Sequence, residues 1–215
     1  MKTKIIQLYE FDELPEEIRK KAVDRLGSIN VDYGWWEFVY DDFFRLAKTF
    51  GIEVNLKKTF FTGFYHQGQG SSYTAYVDTG KLIQSVKDRA WKEYAPDLEF
   101  NFPEITSAIL RIRKLIINNV IDFGGCVRPT NRETAIYTDF DTTKYTVCKC
   151  QNPVNVEKAI EQTEELVSVV CEELNHFLFR SLRDEFDHLT SEEAIVETIR
   201  ANQYYFTEKG KLDSD

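Results

Sequence analysis

"IEVNLKKTFFTGFYHQGQGSSYTAYVDT", residues 52–79, decides the fold. Ile52, Val54 and Leu56 alternate with Glu53, Asn55 and Lys57, the pattern of a strand with one buried face. "SSYTAYVDT" reads as the returning strand, so the region is an antiparallel hairpin. Between the strands, Gly63, Gly68 and Gly70 permit backbone conformations closed to other residues. The loop has two readings. It is a wide hairpin connection with aromatics packed beneath it, the preferred reading. Alternatively it binds a ligand or partner through Phe64, Tyr65, His66, Gln67, Gly68, Gln69, Gly70 and Tyr73, its amides forming a small anion nest. It is not a phosphate loop: the Lys-Ser/Thr ending is missing, and it leads from strand to strand with no helix N-terminus.

Outward from the hairpin, the preceding "DYGWWEFVYDDFFRLAKTFG" carries Trp36, Tyr40, Phe43, Phe44, Ala47 and Phe50 at helical spacing and closes at Gly51. These rings read as core. Before it, "KIIQLYEF" predicts a strand over 4–11 and "DELPEEIRKKAVDRLGSI" a helix, with Pro15 in its first turn and Glu16 and Glu17 at the positive end of its dipole. After the hairpin, "KLIQSVKDRAWKEY" predicts a helix over 81–94, and "PEITSAILRIRKLIINNV" another starting near Pro103. "GGCVRPTNRETAIYTDFDTTKYTVCKC" suggests further antiparallel strands.

The longest helical signal begins at Asn152 and Pro153, with Ile160, Val167, Val170, Leu174, Leu178, Leu182, Phe186 and Leu189 as one apolar stripe. Such a stripe serves within one chain or between two copies in a homodimer. "TSEEAIVETIRANQYYFT" restarts a helix with a Thr190–Glu193 capping box and ends in a strand. With no internal repeat or low-complexity linker, residues 1–215 read as a single α+β domain, an antiparallel sheet packed against several helices including one long C-terminal helix.

Composition narrows the function. The formal charge of −9 argues against a phosphate-tracking surface, and no direct nucleic-acid partner is expected. No apolar run approaches membrane-spanning length, and the start turns acidic too soon for a signal peptide, so no membrane partner is expected. Cys148 and Cys150, one residue apart, pair poorly with each other, so free thiols in a reducing cytoplasm are the simplest reading.

No chemical constellation stands out. Asp139 and Asp141 in "YTDFDTT" match the D-x-D-x-T motif of haloacid-dehalogenase-type phosphotransferases, where the first carboxylate attacks phosphorus beside a magnesium ion. That motif belongs at the end of an early parallel strand, whereas here it falls late among Thr-rich strands; a solvated turn is the better reading. Cys126, Cys148, Cys150 and Cys171 lack paired zinc knuckles, so neither a metal nor another cofactor is expected. His66, His176 and His188 lie in no triad or elbow signature, so no catalytic residue is assigned.

Three segments together carry a resemblance: "LYEFDELPEEIRKKAVDRL", "FTGFYHQGQGSSYTAY" and "LTSEEAIVETIRANQYYFTEKGKL". They resemble a family of phage and prophage proteins labelled antitoxins of toxin–antitoxin stability systems. That family carries a Tyr-x-Phe-Asp-Glu-Leu opening, a Ser-Gly-Phe-x-Ser-Gln-Gly-Asp-Gly loop and an Ile-Arg-Ala-Asn-x-Tyr-x-Phe-Thr ending. The resemblance does not extend to the middle, from about Lys87 to Gln151. It departs at His66, a serine in the family, and at Gln69, an aspartate there. It implies a phage or mobile-element protein in a bacterial cytoplasm, whose partner is a host or phage protein such as a defence effector or toxin, and whose action is non-catalytic inhibition. The alternative is a small-ligand binder that sequesters a nucleotide through residues 62–73.

Overall fold

The computed structural model describes residues 6–128, 145–147 and 153–213. In chain order the elements are β1 (Leu8–Glu10), α1 (Glu16–Arg25), α2 (Glu37–Thr49), β2 (Ile52–Phe61), β3 (Ser71–Asp78), α3 (Thr79–Asp88), α4 (Ser107–Ile117), β4 (Ile121–Val127), β5 (Tyr145–Val147), α5 (Pro153–Leu189), α6 (Glu192–Ala201) and β6 (Tyr205–Thr207). Short 3-10 turns occupy Phe11–Glu13 and Ala90–Glu93. This is the α+β class, with antiparallel sheets and a long helix near the C-terminus. Two compact units are distinguished: one combines the residues up to Glu37 with those from Leu182 onward, and the other is Phe38–Ser181.

In the first unit, β1 pairs antiparallel with β6, Tyr9 opposite Phe206. Among the described residues of the predicted first strand, Leu8, Tyr9 and Glu10 pair with the three residues of β6. The 3-10 turn after β1 aims Phe11 inward, against Leu14, Ala22, Val23, Ile195, Ile199 and Phe206. The Glu13 carboxylate accepts the Glu10 N–H at 2.9 Å and holds that turn. Asn30, 7% exposed, donates to the Leu189 carbonyl at 3.0 Å and accepts from the Thr198 hydroxyl at 2.8 Å, satisfying both ends of its amide. On the surface, Arg200 bonds both oxygens of Asp12 at 3.2 and 2.8 Å and holds that carboxyl below its usual range. The cap of α6 is Ser191, which accepts the Ala194 N–H at 3.2 Å, rather than the expected Thr190. Thr190 instead donates its hydroxyl back to the Phe186 carbonyl at 2.8 Å, on the end of α5.

The second unit is built on the sheet β2-β3-β4-β5, antiparallel throughout, with β2 at an edge. Ile52 to Val54 and Thr59 to Phe61 both pair with β3, but the register shifts between Val54 and Thr59. Four residues of β2 therefore bulge opposite a single residue of β3. Asn55 stabilises the bulge: its side chain accepts the Lys57 N–H at 3.0 Å and its carbonyl accepts the Thr59 hydroxyl at 3.0 Å. The alternation read for Ile52, Val54 and Leu56 consequently breaks, and Leu56 is 60% exposed.

Gly51, at φ 72°, ends the turn after α2; a Cβ there would lie 2.7 Å from the Lys81 Cβ. Asp78 caps α3 by accepting the Lys81 N–H at 3.0 Å. The helix predicted over 81–94 is broken at Arg89, whose φ of 53° is left-handed and redirects the chain into the second 3-10 turn. α4 starts later than Pro103 suggested, after Thr106, whose hydroxyl accepts the Ile109 N–H at 3.3 Å. The 37 residues of α5 span about 55 Å. Ile160, Val167, Val170, Leu174 and Leu178 on its stripe are all buried within this one chain.

Candidate interaction surface

The two faces of the hairpin are unlike. On the inner face Tyr73 is fully buried, edge-on to Phe43 at 5.3 Å, and its hydroxyl donates to the Cys171 carbonyl of α5 at 2.9 Å. Ser71 next to it donates its hydroxyl to the Asn175 side-chain oxygen at 3.0 Å, and the Asn175 amide returns a bond to the Ser71 carbonyl at 2.9 Å. The polar groups of this face are thus paired inside the core. Burial raises the Tyr73 phenol well above its ordinary value and pushes the Cys171 thiol up to about 12, and the Tyr40 phenol likewise to about 12.

These three groups fold neutral, so the unfolded chain releases their protons first as pH rises. Stability is expected to be flat below the ordinary thiol and phenol values of 9.0 and 10.0 and to fall above them, towards 12. Urea titrations at about pH 8 and about pH 10.5 check this: the midpoint drops at the higher pH, and drops less in Tyr73→Phe. Equal midpoints at the two pH values would contradict it.

The outer face carries Glu53 opposite Tyr76, Phe60 opposite Ser72, and Cys126 opposite Tyr76. Phe60 is 59% and Tyr76 53% exposed, and Cys126 is also exposed. The Tyr76 hydroxyl lies over Gly124 of β4, 2.9 Å from where a Cβ would stand, so the absent side chain gives the ring a flat seat.

The loop between the strands closes on itself. Thr62 and Gly70 pair through backbone at 2.9 Å, and the Thr62 hydroxyl reaches the Gly68 carbonyl at 3.2 Å. Tyr65, at φ 63°, gives its N–H to the Gln69 side chain at 2.8 Å. Phe64 stacks on Phe61 and meets Phe179 of α5 at 5.8 and 5.5 Å, which pins the loop down. His66 is exposed and its ring Nδ1 lies 3.0 Å from the Gln67 carbonyl; Gln67 is exposed as well. Gly68 has a φ of 93° and Gly70 is buried. Of the residues singled out in the sequence, Tyr65, His66, Gln67 and Gln69 therefore share one exposed tip, while Phe64 anchors it and Tyr73 lies in the core.

Asp139, Asp141, Cys148 and Cys150 lie outside the described residues. Cys126 and Cys171 are exposed and buried respectively, and His176 and His188 are both exposed on α5. Among the described residues, no three His, Cys, Asp or Glu side chains are placed to hold a metal ion. No described helix is long and apolar enough to cross a membrane. Sequence reading passed over the outer face, although Ser72, Thr74 and Tyr76 alternating with Tyr73, Ala75 and Val77 already mark it.

Fold and surface together define an α+β protein whose sheet covers one face with helices and presents aromatic side chains on the other. Residues 35–192 match the family described as a domain of unknown function (DUF8835), and the chain belongs to that family. The match takes in the whole of the second unit and little of the first. No curated protein matches the chain, and no solved structure does.

Proposed function

We propose that this is a phage or mobile-element accessory protein that binds and inhibits a host protein in a bacterial cell, in the manner of an anti-defence protein or antitoxin, without chemistry of its own. The observation that carries this reading is the outer face of the β2-β3-β4 sheet, where Phe60 and Tyr76 stand more than half exposed on a rigid support. Aromatic side chains held in place before binding lose little entropy on docking and make strong anchors. Leu56, raised by the bulge, adds apolar surface on the same edge strand. The phage-type resemblance supplies the setting. Its opening and closing segments are brought together as the β1–β6 pair.

The test uses the protein and its Phe60→Glu/Tyr76→Arg variant as paired baits in lysate of phage-infected bacteria. A specific host or phage protein is expected on the native bait and reduced at least about tenfold on the variant, the effect of losing a central aromatic anchor. Identical captures from the two baits would refute the assignment to this face.

A further inference from the structure

A second feature of the Phe38–Ser181 unit is independent of the sheet face. Where α3 breaks at Arg89, the chain folds into a cleft of about 380 Å³. Trp91 and Val86 form its floor, and the half-buried Phe100, Phe102 and Ile105 its walls. Its aromatic parts are rigid. Phe50 stacks beneath Trp91 at 5.3 Å and 17°, Phe100 stacks on Phe102 at 5.0 Å and 18°, and the Trp91 indole N–H donates to the Leu98 carbonyl at 3.0 Å.

The mouth carries charge of a sign unusual for this chain. In a protein of net charge −9, it displays Lys87 and Arg89, both exposed. Two carboxylates share the rim, Glu99 and Glu104. Glu99 is already satisfied: Lys92 bonds it at 2.5 Å while also holding the Pro96 carbonyl at 2.8 Å. Arg89 also lies near enough to Glu99 to help hold its carboxyl below the usual range, so Lys87, Arg89 and Lys92 together face Glu99 and Glu104, and the local excess is positive. Arg89 lines the rim with a left-handed backbone, φ 53°, which is unfavourable for a residue with a Cβ.

We propose that this cleft binds a small flat aromatic ring carrying one anionic group. The volume suits a small molecule rather than a folded partner, since ligand pockets run from roughly 300 to 1,000 Å³. The ring lies in the cleft against this packed cluster, where Trp91 and Phe102 already meet edge-on at 5.4 Å and their outward faces and edges offer stacking. The anion remains at the mouth, where the exposed Arg89 and Lys87 make charge-assisted hydrogen bonds to it.

Calorimetric titration of the full chain with three ligands sharing one ring tests this: naphthoate, naphthalenemethanol and naphthylmethylamine. Naphthoate is expected to bind one-to-one and at least about tenfold tighter than the alcohol, the worth of a charge-assisted contact, with the amine weakest. In Lys87→Gln/Arg89→Asn the advantage of naphthoate over the alcohol disappears while the thermal midpoint is kept, asparagine being tolerant of the left-handed backbone at 89. Phe102→Ala weakens the acid and the alcohol together, and Phe60→Glu/Tyr76→Arg leaves both unchanged. The proposal is overturned if naphthoate does not bind at millimolar concentration or if the amine binds as well as the acid. Survival of the charge preference in the Lys87/Arg89 variant, or loss of binding in the sheet-face variant, overturns it equally.

Discussion

Phe50→Ala is expected to lower the unfolding free energy by about 3–5 kcal/mol, the usual cost of removing a buried aromatic side chain. Phe50 is fully buried just after α2 and contacts two rings besides its stack on Trp91, Phe100 at 5.9 Å and Phe102 at 5.7 Å, both edge-on; through Phe100 the cluster reaches Phe177 of α5 at 6.1 Å. The cavity left by alanine has aromatic walls already fixed by one another, so it cannot close by collapse. Phe50→Leu keeps most of the volume and should cost less than half as much. Chemical denaturation followed by Trp fluorescence reads both. A loss for Phe50→Ala within about 1 kcal/mol of zero would show that the cluster is loosely packed.

Asn175→Ala is the second large effect, at about 2–4 kcal/mol, because it removes more than a side chain. Asn175 is 6% exposed and joins α5 to β3 by bonding both the hydroxyl and the carbonyl of Ser71, itself 1% exposed. Alanine leaves a buried carbonyl and a buried hydroxyl competing for partners, although the hydroxyl retains the Asn175 backbone carbonyl at 3.1 Å. A double-mutant cycle with Ser71→Ala isolates the side-chain pair: a coupling near 1 kcal/mol is expected. The larger remainder is the orphaned Ser71 carbonyl, which no substitution at position 71 relieves. Additivity of the two substitutions would contradict the pairing.

The residues that announced themselves in the sequence did so through periodicity. Tyr40, Phe43 and Ala47 on α2, and Ile160 to Leu178 on α5, recur at helical steps and are buried as that spacing demands. What periodicity cannot carry is a local departure from it. The bulge at Asn55 depends on hydrogen bonds two and four residues away, and it expels Leu56 from an otherwise regular strand. Arg89 reads as an ordinary helical residue, and nothing about arginine warns of a left-handed turn. Both Thr190 and Ser191 suit a cap and both donate to a carbonyl at the end of α5, so residue type does not choose between them; it is the Ser191 oxygen that meets the Ala194 N–H.

The interaction surface was legible only in part for the same reason. The loop 62–73 attracts attention by composition, yet Thr62 and Gln69 spend their polarity within it. The cleft is the reverse case. "FNFP" at 100–103 places two aromatics on one side of an extended segment, but it meets Trp91 only after the break at Arg89, a relation between residues that no spacing rule connects.

The pairing of β1 with β6 has a consequence for biosynthesis. Asp12 and Arg200, bonded to each other, are 188 positions apart, so the ribosome must deliver every residue between them before that contact can exist. Until then Phe11, Leu14 and Val23 wait with no Ile195, Ile199 or Phe206 to cover them, open to chaperones and proteases. A stalled or prematurely terminated translation product would therefore display a greasy N-terminal tag, and the cell would clear it rather than accumulate a half-made chain.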